Sequence, residues 1–214
     1  MFRLSRRPSR PRFVAVGTGL LSVSLFSAVG LAATAGPASA DSTINVHYAL
    51  TGTTFLKKLN TTVNLGSGTL SSSVDLTTGT ASSTLSLPPA TASVKEFGLV
   101  PVTATTELIQ NGPATGPVSL TANTITSTAN VTLKITHLTI FGVSLPVGSS
   151  CETTPFSITL SSGSGFTVGG GGPLTGSYTI PYFLHCGLNT GLLTLTIPGS
   201  GNTISLTLGA LQLG

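Results

Sequence analysis

His47, His137 and His185 are the only imidazoles in the 214-residue chain, and each stands alone. None has a second histidine two or four positions away, and none has an acid within three residues, so the spacing that holds a metal is missing. A serine hydrolase would need one of these imidazoles beside an acid and an activated hydroxyl. No G-x-S-x-G elbow occurs, and Gly163-Ser164-Gly165 and Gly199-Ser200-Gly201 have ordinary loop composition. Asp75 and His137 are distant in sequence, and only folding could join them. The chain is therefore expected to be non-enzymatic, with no catalytic residue, metal or cofactor.

Carboxylates are as sparse. Asp41, Asp75, Glu96, Glu107 and Glu152 are the only acids, and no D-x-D-x-D loop for calcium occurs. Two acids could flank a glycosidic bond, but sugar sites usually also stack rings on aromatic side chains, and the chain has no tryptophan. The run Gly169-Gly170-Gly171-Gly172 leads into Pro173 to Ile180, a strand pattern, where a phosphate cradle requires a helix. It reads as a mobile loop. Cys151 and Cys186 remain. In an oxidising exterior a lone pair of cysteines is most simply a disulfide, here closing a loop of 35 residues and stabilising the fold by roughly 3–4 kcal/mol.

The N-terminus points to that exterior. All five arginines, Arg3, Arg6, Arg7, Arg10 and Arg12, precede an apolar stretch from Phe13 to Ala33, and Ala38-Ser39-Ala40 supplies the small residues of a cleavage site. Glycines and serines interrupt the apolar stretch, so residues 1–40 read as a cleaved signal peptide, with an uncleaved anchor as the alternative. What remains, 41–214, carries Lys57, Lys58, Lys95 and Lys134 against the five acids, so the formal net charge of +4 belongs to the leader. So few cations give nucleic acid or an anionic membrane no electrostatic basis. No integral span is expected after cleavage. The expected location is secreted or extracellular, with non-covalent retention at the cell envelope as an option.

The elements of the secreted part follow a period of two. Apolar residues alternate with threonine or serine over Thr69–Leu76, Thr80–Leu87, Asn130–Ile135 and Thr203–Leu208, the pattern of half-buried antiparallel strands. No stretch keeps a helical period, beyond a possible turn over Ser93 to Phe97. Turn chemistry separates the runs at Gly66-Ser67-Gly68, Thr78-Gly79, Pro88-Pro89, Asn111-Gly112-Pro113, Gly116-Pro117, Asn189-Thr190-Gly191 and Pro198 to Gly201. About ten strands in one domain, 41–214, predict an all-β fold: an antiparallel β-sandwich or a closed β-barrel. The apolar face changes sides between Ile135 and Leu138, which predicts a bulge or strand crossing.

Several phrases combine in a specific order: Thr54 to Leu59, Val74 to Gly79, Leu87 to Ala92, Phe97 to Thr105, Phe141 to Gly148 running into Cys151, Gly171 to Phe183 ending in Cys186-Gly187, and Pro198 to Thr203. In this the chain resembles a group of small secreted all-β proteins of high-GC Gram-positive bacteria. The resemblance implies an exported, disulfide-linked β fold. It brings no activity and no catalytic residues to carry over.

One apolar constellation could bind something. Tyr178, Ile180, Tyr182 and Phe183 precede Cys186, and Phe156, Ile158 and Leu160 follow Cys151. A disulfide would draw these stretches together, either as plain core or, with Phe156, Tyr178, Tyr182 and Phe183 as lining, as a pocket for a lipid or other apolar ligand. Such a pocket requires several hundred Å³. Three functions follow. The first is an exported non-enzymatic protein acting through surface contacts with an envelope or extracellular component. The second is a carrier of an apolar ligand. The third, a membrane pore, needs aromatic girdles that six phenylalanines and three tyrosines hardly furnish after residue 40.

Overall fold

The alternation of apolar and hydroxyl side chains becomes strand throughout the computed structural model, which describes residues 42–96 and 99–213. The proposed leader, 1–40, lies outside the described residues. In chain order the first elements are β1 (Thr43–Leu56), β2 (Thr61–Asp75), β3 (Thr80–Ser86), β4 (Ala90–Glu96), β5 (Val100–Gln110), β6 (Ala114–Ser119) and β7 (Thr124–Ile140). There follow β8 (Val143–Leu145), β9 (Glu152–Thr153), β10 (Phe156–Ser162), β11 (Gly172–Ile180) and β12 (Phe183–Leu184). A 3-10 turn (Gly187–Asn189), helix α1 (Thr190–Thr196), β13 (Gly199–Leu208) and β14 (Gln212–Leu213) complete the chain.

Eight strands close into an antiparallel barrel in the order β7-β10-β11-β13-β1-β2-β3-β6 and back to β7. Closure depends on β7, whose first half pairs with β6 on one edge and with β10 on the other. The seventeen-residue strand then runs on past the barrel. There it takes β5 on the first edge and β9 and β8 on the second, while β4 pairs outside β5.

Of the two expected architectures, the barrel is the one formed, and side chains fill it. Along β13, Asn202, Ile204, Leu206 and Leu208 point inward and are buried, while Thr203, Ser205 and Thr207 face solvent. Val46, Tyr48 and Leu50 of β1 meet them in the lumen. Apolar inside and hydroxyl outside is the reverse of a membrane pore, which shows its apolar face to lipid.

The expected change of side in β7 is a bulge: Thr105 faces His137 and Thr106 faces Ile135, leaving Thr136 as the extra residue. Ile135 and Leu138 are therefore both buried, at 0 % and 1 % exposure.

Other expectations are corrected. Gly66-Ser67-Gly68 and Gly116-Pro117 are not turns but lie inside β2 and β6. At the first, Gly52 faces Gly66 and Thr53 faces Asn64, so Leu65 is the extra residue of a bulge and Gly66 takes the positive φ of 75° it requires. Ser93 to Glu96 belong to β4 and not to a helical turn; Phe97 lies outside the described residues. Asn189-Thr190-Gly191 opens α1, the one α-helix among the described residues.

One end of the barrel is plain. It carries the short β2–β3 and β6–β7 turns, with the 163–171 connection of β10 to β11 and the start of β14 beside them. The other end carries a cap formed by β4, β5, the second half of β7, β8, β9, β12 and α1. The cap has its own core, in which Ile135, Leu138, Ile180, Phe183 and Leu193 surround the disulfide.

Candidate functional site

The chemistry-bearing side chains are dispersed over this framework. His47, His137 and His185 are all exposed. His47 Nδ1 lies 3.0 Å from Ser71 Oγ across the β1–β2 ladder, and His137 Nδ1 lies 3.4 Å from Thr136 Oγ1. Asp75 stands four residues beyond Ser71, roughly 13 Å along the strand. Its carboxylate is turned into its own loop, accepting from Thr77 N–H at 2.7 Å, Thr78 N–H at 3.1 Å and Thr78 Oγ1–H at 2.8 Å. These bonds, the Thr78 hydroxyl first, hold its pKa below the usual carboxylate value. Asp75 pairs with Thr80 at the plain end, whereas His137 lies in the cap, so folding does not join them. Among the described residues no three His, Cys, Asp or Glu side chains converge to hold a metal.

The cysteines do meet. Cys151 and Cys186 form a disulfide with Cα atoms 4.3 Å apart and both residues 0 % exposed. It fastens β9 to the segment after β12, which pair through Phe183 with Thr153 and Leu184 with Glu152.

Above it, where the cap meets the barrel mouth, lies a narrow apolar cleft. Leu56, Val63 and Ile204 contribute from the barrel, Ala92 and Val102 from the β4–β5 hairpin, and Leu192 and Ile197 from α1. No charged side chain lines it. Its polar side chains are Thr54, Thr106, Tyr178 and Thr196, and each is already bonded to the wall. Thr106 donates to Ala90 O at 3.3 Å and Thr196 to Leu192 O at 2.9 Å. Thr54 Oγ1 donates its one hydrogen to Thr203 O at 2.9 Å, so at 2.6 Å it must accept from the Tyr178 hydroxyl. Burial pushes the Tyr178 phenol above its usual pKa.

Of the four residues expected to line a pocket, two do so. Phe156 and Tyr178 stack with ring centroids 5.9 Å apart and planes 15° apart, both facing the cleft. Phe183 is 1 % exposed within the cap core, drawn in by the disulfide. Tyr182, after the chain breaks from β11 at Pro181, is 67 % exposed on the surface. The volume also differs from expectation. The cleft measures about 100 Å³, short of the several hundred a whole ligand requires.

A feature that sequence reading missed lies beside the cleft. Leu188, Leu192 and Leu195, spaced i, i+4 and i+7, form an outward apolar stripe on the 3-10 turn and α1, while Leu193 faces inward at 2 % exposure. Leu188 is fully exposed and Leu195 70 % exposed. Lys58, in the β1–β2 turn, closes the helix C-terminus by donating from Nζ to Leu195 O at 2.5 Å and Pro198 O at 3.2 Å. The helical spacing of the three leucines was the available signal. It was masked by the alternating Leu-Thr-Leu-Thr-Ile that follows.

Among the described residues no helix is long and apolar enough to cross a membrane. Compared with known protein families, with characterised proteins and with solved structures, the chain matches none.

Proposed function

We propose that the protein is an exported, non-enzymatic module that acts at the cell envelope through surface contact, and that its contact surface is the cap end of the barrel. The supporting observation is the concentration there of large apolar side chains in water. Among the described residues seven large apolar side chains are more than 60 % exposed, and six of them, Leu188, Leu195, Tyr182, Phe141, Val143 and Leu99, belong to the cap, with Leu213 on β14 the seventh. Exposed apolar area of this kind marks interaction sites. The disulfide agrees with an oxidising, extracellular setting. A photo-reactive amino acid at position 188 in the producing cell tests the reading against the same probe at Leu120 on the plain end. Adducts from 188 and not from 120 are expected; adducts from neither, or equally from both, overturn it.

A second reading, carriage of an apolar ligand, draws on the cleft. Its volume of about 100 Å³ is short of what a whole lipid needs, so the cleft suits one chain end. Mass spectrometry of a denatured extract decides: a stoichiometric lipid supports carriage, and an empty protein removes it.

A further inference from the structure

We propose that the cap end docks on a lipid bilayer, with Phe141 as the side chain that inserts. This rests on the contact-surface reading above and names the partner of that surface.

The first observation concerns backbone conformation. Phe141 and Gly142 are the two central residues of the β7–β8 hairpin, with Ile140 paired to Val143, and their φ angles are +51° and +78°. A two-residue hairpin with both positions left-handed favours Asn-Gly, because asparagine tolerates positive φ whereas a bulky side chain there is strained. Burial does not offset that strain, since Phe141 is 65 % exposed. A strained aromatic residue held in water points to a use outside the fold.

The second observation concerns what surrounds it. Phe141 N–H donates to Pro101 O at 3.0 Å, which brings the β4–β5 turn with Leu99 to the same tip. Asn189 Nδ2 donates to Pro146 O at 2.8 Å, tying the 3-10 turn and its Leu188 to the segment after β8. The exposed apolar side chains thus come from three separate segments that these bonds hold together. A rigid protein partner would need a matching socket for each. A fluid acyl layer buries all of them together.

Charge at the rim agrees. Lys57 and Lys58 occupy the β1–β2 turn against the end of α1, where headgroup phosphates would lie. Counting cations over 41–214 sets an anionic membrane aside; the placement of two of the four lysines beside the leucine stripe brings it back.

The test is co-sedimentation of the secreted protein with vesicles of equal parts phosphatidylcholine and phosphatidylglycerol. Wild type is expected in the pellet. Phe141→Asn is expected to melt at a higher temperature, since asparagine suits the turn, yet to bind about tenfold more weakly, a difference of about 1.4 kcal/mol. Leu188→Ser with Leu195→Ser should lose binding similarly, and Leu120→Ser at the plain end should not. Wild type remaining in the supernatant overturns lipid docking; if cross-links from position 188 persist in cells, the contact-surface reading survives that failure. Self-association that the same substitutions abolish, in place of vesicle binding, also overturns the proposal. So does a Phe141→Asn protein that binds as wild type does.

Discussion

Tyr178 gives its hydroxyl proton to Thr54 Oγ1 across the barrel mouth, and Thr54 passes its own to the carbonyl of Thr203. The relay has a direction, so its two ends are not equivalent. Tyr178→Phe removes one bond and leaves Thr54 satisfied, which costs about 0.5–1.5 kcal/mol. Thr54→Val strands a buried phenol without an acceptor and costs about 1–3 kcal/mol. Urea unfolding of both variants should rank Thr54→Val as the less stable; the reverse order would show that the proton runs the other way.

Burial also raises the pKa of Tyr48, whose hydroxyl donates to Val168 O at 2.7 Å, as it does that of Tyr178. In the unfolded chain both phenols ionise near pH 10. Above that pH the unfolded state binds fewer protons than the folded one, so stability falls as pH rises. Stability from these two groups is complete below about pH 10 and lost as pH climbs through the folded values. Absorbance of the phenolate band should show Tyr48 and Tyr178 titrating later in the native protein than in urea.

The disulfide closes a 35-residue loop, worth about 4 kcal/mol in the chain-entropy account. Reduction, or Cys151→Ala with Cys186→Ala, should lower the melting temperature by roughly 10 °C for a chain of this size. Hydrogen exchange should report the loss first in α1 and β12, which the bridge holds to β9. Uniform loss across the barrel strands would contradict the separate cap core.

Two glycines should respond with opposite sign. A Cβ on Gly116, where β6 lies against β7, would sit 1.9 Å from the Thr126 carbonyl oxygen, so Gly116→Ala should cost about 3 kcal/mol. Gly191 in α1 has open space and no positive φ, so Gly191→Ala should stabilise by about 0.5–1 kcal/mol. Thermal melts of the two variants check both.

Much of this fold is legible in the residues themselves. Alternation over Thr203–Leu208 gives β13 with its inward and outward faces, and the parity change between Ile135 and Leu138 gives the bulge at Thr136. Period two also misleads. Leu193-Thr194-Leu195-Thr196-Ile197 alternates as the strands do, yet most of it is helix. It follows directly on the Cys186 bridge, and Lys58, 137 positions earlier in sequence, caps its carbonyls. Gly66 and Gly116 read as turns because glycine marks reversals, yet Gly66 serves a bulge and Gly116 the close approach of β6 to β7, which only the pairing partners reveal. The pocket expectation joined Phe156 to Tyr178 through the disulfide, whereas the pairing of β10 with β11 is what brings them together. It failed for Phe183 and Tyr182 because the chain leaves β11 at Pro181, which alternation cannot foresee.

Fractionation of producing cells tests the central claim most directly, using wild type beside Phe141→Asn and Leu188→Ser/Leu195→Ser. Wild type should appear in the envelope fraction as a processed chain beginning at Asp41, and both variants should be released into the medium. A cytoplasmic, unprocessed wild type would contradict that claim, as would variants that stay with the envelope undiminished.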